Sequence, residues 1–513
     1  MNVWSTISRC GSTIGRYLMG LIVALAIAGT ARAQETRVLT LTLEETVERA
    51  LRNSYGVRQL QMNVEQTRSW LRAERASLRS RVYMNLSAPE FDAISNNQWN
   101  SDLQKYELVR ENNRLWQMDF TIQQPVILFG YPTNGYLSLN NRMYRYTQLG
   151  GTKDVTYYNR YFIRYQQPLF QPNSLKIDIE EAELNLADTE LQFREDIVRM
   201  MDDVADDYYE LFEIAYQEQI FEDQIDLHRR AATIAQRLAE TDTTRLLELS
   251  QIQVELANRS EQLRQAHGSY RLEASEMAQR LRLAPGDSIA VVPATVIEPL
   301  AVDVEEAIQY GLSLRPQLRR LDIRRRRDEL DVDQAKGWDS FRVNFEATYG
   351  RETQDPRFQA LWDRPSNSYT VGLHAYVPIW DWGRRREQIQ AERIGLQKTE
   401  LLIEEAQNQI RSDISNAVQN LREYQERTLS MQSNREQARQ IAESTMALYG
   451  EGRVGVIDLL QSFRRLEDTE QNFVRAFLGF REAIRSLQNY THYDFEHDVP
   501  VFERFRLIPN GDS

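Results

Sequence analysis

The sequence predicts a mostly α-helical chain with transmembrane β-strands, built from one unit copied twice. Three observations carry this. Arg384 to Tyr449 contains no proline and one glycine, Gly395, and repeats apolar or small residues at steps of three and four. Val82, Met84 and Leu86, and later Phe341, Val343, Phe345, Ala347 and Tyr349, alternate with polar residues at a period of two. The order helix, strands, long helix, turn, helix occurs in the first half and returns in the second.

The long stretch reads Ile410, Ile414, Ala417, Leu421 and Tyr424, then Met431, Ala438, Ala442, Thr445 and Tyr449, with Thr428 and Arg435 interrupting it. This is one face of an α-helix. At the usual rise per residue it is roughly 100 Å long, more than an ordinary globular domain holds. Its apolar stripe is narrow, so the helix packs along a seam and shows water its other faces.

Of the 513 residues, 42% are hydrophobic and 27% charged, so the chain as a whole is not disordered. The formal net charge of -13 argues against nucleic acid as a partner. Mean hydropathy is -0.58. Past the N-terminus no apolar run approaches the roughly 20 residues of a spanning helix. At the N-terminus, Arg9 and Arg16 precede the apolar run Tyr17 to Ala28, and Ala31-Arg32-Ala33 offers a small-x-small cleavage site. Residues 1–33 are therefore expected to be a secretory signal peptide. Cys10 is the only cysteine, so the mature chain is expected to have no disulfide, thiolate metal site or cysteine nucleophile.

Taken in order, the expected first repeat covers 34–300. A helix opens at Leu43-Glu44-Glu45 with Thr42 as its N-cap and runs to about Ser80. Strands occupy about 81–168, with a Gly/Pro/Asn turn at Gly130 to Gly135. A long helix fills 174–240, Thr241-Asp242-Thr243-Thr244 forms a turn, and a helix follows over 245–283. Pro285, Pro293 and Pro299 mark a connector over 284–300. The second repeat covers 301–490: a helix, strands at about 340–378, the long helix 384–449 and a helix over 456–490. Residues 491–513 form a tail.

The repeat is visible residue by residue. An offset of 261 carries Leu43-Glu44-Glu45 onto Val304-Glu305-Glu306 and Val82 onto Val343. Past the strands the offset is 210, carrying Pro168 onto Pro378, Thr189-Glu190-Leu191 onto Thr399-Glu400-Leu401, and Glu248-Leu249 onto Asp458-Leu459. The change of offset marks an insertion in the first-half strands. It has room for two further strands, giving four in the first half and two in the second. A long surface loop is the other reading.

In the second half Val371, Leu373, Ala375 and Val377 repeat the alternation of Phe341 to Tyr349. Apolar residues on one face and charged residues on the other fit a transmembrane β-barrel, and equally an amphipathic sheet. Trp116, Tyr157, Tyr158, Trp362, Trp380 and Trp382 lie near strand ends, where aromatics either belt a membrane interface or pack in an equatorial region. In lipid only helices and closed barrels satisfy the backbone. Four to six strands per chain are fewer than the roughly eight of the smallest membrane barrels. The chain must then pool strands with copies of itself.

These features resemble the TolC-type outer-membrane efflux proteins. The resemblance runs from Leu43 to Tyr490. It rests on the duplication, the strand-to-helix junctions Gln167-Pro168-Leu169-Phe170 and Val377-Pro378-Ile379-Trp380, and the turn from Tyr449 to Leu460. It implies a homotrimer whose β-barrel in the outer membrane continues into a trimeric α-barrel across the periplasm. A periplasmic adaptor and an inner-membrane pump meet the closed end, outer-membrane lipid surrounds the barrel, and the duct exports small molecules or proteins without chemistry or cofactor. The family's second hairpin has a Tyr-x-x-Gly-x-Arg turn followed by two aspartates three residues apart at the narrow end. Tyr449, Gly452 and Asp458 match that pattern. Val454 stands at the arginine position and Gln461 at the second aspartate position. The equivalent acid in the first hairpin is Glu248.

Asp458 is expected either at a pore constriction, where three copies concentrate negative potential, or as an acid that stabilises the helix it begins. Gly450, Gly452, Arg453 and Gly455, with Thr241, Asp242, Thr243 and Thr244 on the first hairpin, are expected at the tips where an adaptor docks. The run Arg324 to Arg327 reads as a solvated helix face. The five histidines show no metal-ligand spacing, and no phosphate loop or nucleophile elbow occurs. A different class also fits, a periplasmic coiled-coil scaffold or adaptor without a membrane barrel.

Overall fold

The computed structural model describes residues 38–102, 104–149, 154–284 and 287–504. The expected signal peptide with Cys10, and Pro285, lie outside the described residues.

In chain order the elements are β1 (Val38–Thr40), α1 (Leu43–Asn53), α2 (Tyr55–Ala76), β2 (Arg81–Asn100), β3 (Lys105–Leu128), β4 (Tyr131–Gln148), β5 (Val155–Leu169), α3 (Ser174–Thr241) and α4 (Leu246–Arg280). Then come β6 (Ser288–Ala290), α5 (Val304–Leu314), α6 (Pro316–Gly337), β7 (Arg342–Asp355), β8 (Ser366–Tyr376), α7 (Arg384–Gly450) and α8 (Val456–Thr491). β9 (Tyr493–Asp494), β10 (Val499–Pro500) and α9 (Val501–Arg504) end the described chain.

The duplication reaches the level of caps and breaks. Thr42 caps α1, accepting from the Glu45 amide at 3.3 Å while its own amide donates to Glu45 Oε2 at 3.0 Å. At the equivalent position Asp303 caps α5 through the Glu306 amide at 3.0 Å. The single helix expected from Leu43 to Ser80 is in fact two, because Ser54 is extended at φ -61, ψ 138. Arg315 breaks the second copy at φ -66, ψ 123. Pro316 explains that break, since the residue before proline avoids the α region. No proline follows Ser54, whose side chain accepts instead from the Gly56 amide at 3.0 Å.

The chain forms two compact units. The first comprises residues 38–57, 199–301 and 419–486 of the described chain. It is a helical bundle with a small parallel pairing of β1 on β6. Phe212, Phe473, Phe477, Leu211 and Leu421 are buried in it. The two interruptions of the apolar stripe on α7 are satisfied there. The buried Thr428 hydroxyl donates to the Ala476 carbonyl at 2.9 Å, and Arg435 lies 4.1 Å from the Phe473 ring centroid.

The second unit comprises 58–198, 302–418 and 487–504 of the described residues. Its centre is an antiparallel six-stranded sheet in the order β2-β3-β4-β5-β7-β8. The insertion in the first half therefore forms strands, and that half supplies four. β2 and β8 each pair on one side only. The basic run is a solvated face as expected, with Arg324, Arg325 and Arg326 exposed, and surface ion pairs form along it: Arg326 with Glu180 at 2.7 Å and Arg325 with Asp322 at 3.2 Å. Arg320 binds Asp188 and Glu195, each at 2.9 Å.

Candidate functional site

Two regions carry the expected chemistry, one in each unit. In the sheet, register sets the faces. Val82 stands opposite Ile122, Ile122 opposite Leu139, Leu139 opposite Ile163, Ile163 opposite Tyr349 and Tyr349 opposite Tyr369. Strand side chains alternate, so these residues share a face. Val82, Leu139, Ile163, Tyr349, Val371 and Leu373 on this face are exposed.

The other face is polar and ionic. Asp119, Arg142, Arg160 and Glu352 stand on one rung of four consecutive strands. Arg142 Nε lies 2.6 Å from Asp119 and Arg160 Nε 3.6 Å from Glu352. Nearer the helices, Arg164 Nε lies 3.2 Å from Glu346. Tyr158, expected in an interface belt, belongs to this ionic face, where its hydroxyl donates to Glu352 Oε2 at 2.8 Å. Its neighbour Tyr157 is on the opposite side, which is the difference of one residue in a strand.

The helical tips lie in the first unit. The α7–α8 turn is a Schellman motif. The Gly452 amide donates to the Tyr449 carbonyl and the Arg453 amide to the Leu448 carbonyl, both at 2.9 Å. Gly452 has φ +70, which only glycine adopts freely. A Cβ on Gly455 would meet nothing within 4 Å. The α3–α4 turn lacks glycine and is made otherwise. Asp242 Oδ1 accepts from the Thr244 amide at 3.0 Å and the Thr244 hydroxyl at 2.7 Å, and a 3-10 turn spans Thr243–Arg245. Those bonds, the hydroxyl's first, hold the Asp242 carboxyl below its usual range.

Below the turns the four helices share an apolar core. It includes Ala231, Ala235, Ile252, Ala442, Met446, Leu459 and Phe463. The alanines let the backbones approach closely. Tyr449 is fully buried in this core, with 0% exposure. Its hydroxyl reaches out to donate to Glu248 Oε2 at 2.9 Å. Burial, and then the bond to Glu248, push the Tyr449 hydroxyl well above its ordinary pKa. Glu248 also faces Arg245, whose Nη1 is 3.8 Å from Oε2. The same arginine lies 3.9 Å from Asp242, and a Cβ on Gly452 would sit 3.5 Å from its Nη2.

The structure thus brings Tyr449, Glu248, Asp242 and Gly452 together around Arg245. Arg245 was not singled out in the sequence. Its cue was the charge itself, placed three residues after Asp242 and three before Glu248. Asp458 and Gln461 are both exposed on the first turns of α8, apart from that cluster. Thr241, Thr243 and Gly450 are exposed, and Arg453 is exposed beside Glu451 at 3.4 Å. Among the described residues no cluster of His, Cys, Asp and Glu could hold a metal ion. No described helix is long and apolar enough to cross a membrane.

Residues 307–491 match the model of the outer membrane efflux protein family. No curated protein matches by sequence. Solved structures do match by fold. CusC, described in a study of transmembrane channel formation, aligns at a TM-score of 0.63 and 15% identity, over 89% of this chain and 93% of its own. The outer membrane protein VceC of Vibrio cholerae aligns at 0.63 and 14%, over 88% and 96%. The CmeC outer membrane channel of Campylobacter jejuni aligns at 0.62 and 12%, over 88% and 85%. At such identities the likeness concerns the fold, which these channels and this chain share. The family match over residues 307–491 and the fold shared across the chain agree: the second repeat is similar to outer membrane efflux proteins, and the whole chain shares its fold with the outer membrane channels it matches.

Proposed function

We propose that the chain is the outer-membrane channel of a tripartite efflux or secretion system, a trimeric duct that receives cargo from an inner-membrane pump through a periplasmic adaptor. The observation that carries this reading is the sheet. It exposes an apolar band on one face, with Arg145, Arg351 and Asp355 on that face only toward the strand ends away from the helices, pairs Arg142 and Arg164 with carboxylates on the other face, and leaves β2 and β8 unpaired along one side each. In lipid an open edge leaves backbone groups without partners, so a sheet of this kind closes on copies of itself. The number of strands per chain is even, so antiparallel order is kept when β8 of one copy meets β2 of the next. Three copies give a barrel of about eighteen strands, within the range of membrane barrels.

The helical tips then form the gate. Tyr449, Glu248 and Arg245 hold the two hairpins of one copy together, and Asp458 lines the constriction with its two symmetry mates. Gly450, Gly452, Arg453 and Gly455, with Thr241 to Thr244, present the adaptor-docking surface. Arg245 supplies from the first hairpin the guanidinium that Val454 does not offer in the second.

Reconstitution tests the reading. Full-length protein purified from the outer-membrane fraction is added to a planar lipid bilayer. Discrete conductance steps are expected. Recovery in the soluble periplasmic fraction without conductance would support a coiled-coil scaffold instead.

A further inference from the structure

The hairpin between β3 and β4 belongs to the stretch that the first repeat has and the second lacks. From Phe120 to Asn141 it contains no Asp, Glu, Lys or Arg, in a chain where 27% of residues are charged. The Asp119–Arg142 pair closes this uncharged stretch at its far end, at 2.6 Å. The turn lies at the end of the sheet where the helices begin, since Gln124 Nε2 donates to the Leu78 carbonyl at 3.2 Å.

The turn itself is Phe129-Gly130, with φ of 52 and 85. Positive φ at both positions is the geometry of a two-residue I′ hairpin, which favours Asn, Asp or Gly. A phenylalanine there is strained. It also makes no use of the protein interior, because Phe129 is 99% exposed. Leu128 and Tyr131 beside it are 55% and 72% exposed. A Cβ on Gly130 would meet nothing within 4 Å. The strand behind the tip is anchored: the Asn134 amide donates to the Pro172 carbonyl at 3.3 Å, and the Ser174 hydroxyl to Asn134 Oδ1 at 3.0 Å.

A strained, exposed aromatic on a charge-free hairpin has a physical use where the solvent is not water. We propose that Phe129, with Leu128 and Tyr131, is an interfacial anchor that seats the inserted hairpin in the headgroup and upper acyl region of the membrane leaflet on the helix side. Aromatic rings favour that layer, which is apolar on one side and wet on the other. The occupant is phospholipid rather than a second copy, because β3 and β4 are interior strands, paired on both sides and away from the open edges β2 and β8. The anchor rests on the barrel reading above and adds a depth register to it.

The test uses the full chain with Cys10→Ser and single cysteines carrying an environment-sensitive fluorophore, in vesicles of phosphatidylethanolamine and phosphatidylglycerol. Phe129→Cys is the main site and Tyr131→Cys the second, in case the first label disturbs the turn. Leu139→Cys, on the apolar face of β4, reports the barrel. Blue-shifted emission at 129 and 131, quenched by a shallow lipid-borne nitroxide and protected from aqueous iodide, is expected. Iodide quenching at 129 and 131 with lipid quenching at 139 would overturn the anchor while leaving the barrel intact. Protection from both quenchers would also overturn it, since protein would then cover the tip. Iodide quenching at all three sites would overturn the barrel itself.

Discussion

The Tyr449 hydroxyl donates a 2.9 Å hydrogen bond to Glu248 Oε2, joining the second helical hairpin to the first at their tips. The ring is buried while the carboxylate it binds is partly exposed, so the bond is a clasp at the edge of a packed core. Tyr449→Phe keeps the core and removes the clasp. Glu248 can rebind water, so the stability cost is about 1 kcal/mol. If the tip is the gate, single-channel conductance rises in the variant. Arg245→Ala is expected to act in the same direction, by loosening Glu248. Unchanged conductance in both would remove the clasp from the gate.

Gly452→Ala is expected to destabilise the tip by about 1 kcal/mol, since its φ of +70 disfavours any side chain. The space itself is adequate, because the nearest atom to a new Cβ is Arg245 Nη2 at 3.5 Å. Gly455→Ala, with open space and no positive φ, is expected to leave the melting temperature unchanged. Thermal unfolding of the two variants separates backbone strain from crowding.

Much of this was legible in the sequence. Fixed offsets between the halves reveal the duplication because each helix keeps its length: α1 and α5 have 11 residues each, α2 and α6 have 22 each. The break at Arg315 is announced by Pro316, whereas the break at Ser54 depends on a side-chain bond to the Gly56 amide that no pattern announces. The β3–β4 turn is expected within Phe129 to Gly135, where glycine, proline and asparagine cluster. The chain turns at the start of that stretch, at Phe129-Gly130, and Thr133 to Gly135 form a bulge where the β3–β4 register shifts. The ion pairs of Arg245 with Asp242 and Glu248 are local, but its place beside Gly452 and the Tyr449–Glu248 bond depends on a second hairpin some two hundred residues away, which no local pattern announces.

Burial, and to a lesser extent Arg315, hold the His492 imidazole down at about 4. The unfolded chain therefore takes up a proton near 6.5 that the folded chain refuses until near 4, and stability falls as pH drops through that window. Between pH 7 and pH 5 the loss is about 2 kcal/mol. His492 has φ 55, which asparagine tolerates, so His492→Asn is a fair replacement. Its melting temperature is expected to fall less between pH 7 and pH 5 than that of the parent. An equal fall would assign the acid sensitivity elsewhere.

Asp458 is exposed on the first turn of α8. Asp458→Asn is expected to lower the cation preference of the open channel, measured as reversal potential under a potassium chloride gradient. Loss of its favourable interaction with the helix N-terminus costs about 0.5 kcal/mol. A melting shift of that size with unaltered reversal potential would leave Asp458 a helix-stabilising acid alone.

The central claim is that β8 of one copy pairs with β2 of the next to close a shared barrel. A disulfide scan tests it directly, because Cys10 is the only native cysteine. Cysteines are paired between Val82, Met84 or Leu86 on β2 and Val371, Leu373 or Ala375 on β8, in outer membranes of cells expressing each double variant. At least one combination is predicted to give covalent dimers and trimers on oxidation, collapsing to monomer on reduction. Monomer alone across the whole scan, from protein that is present in the membrane, would contradict the account.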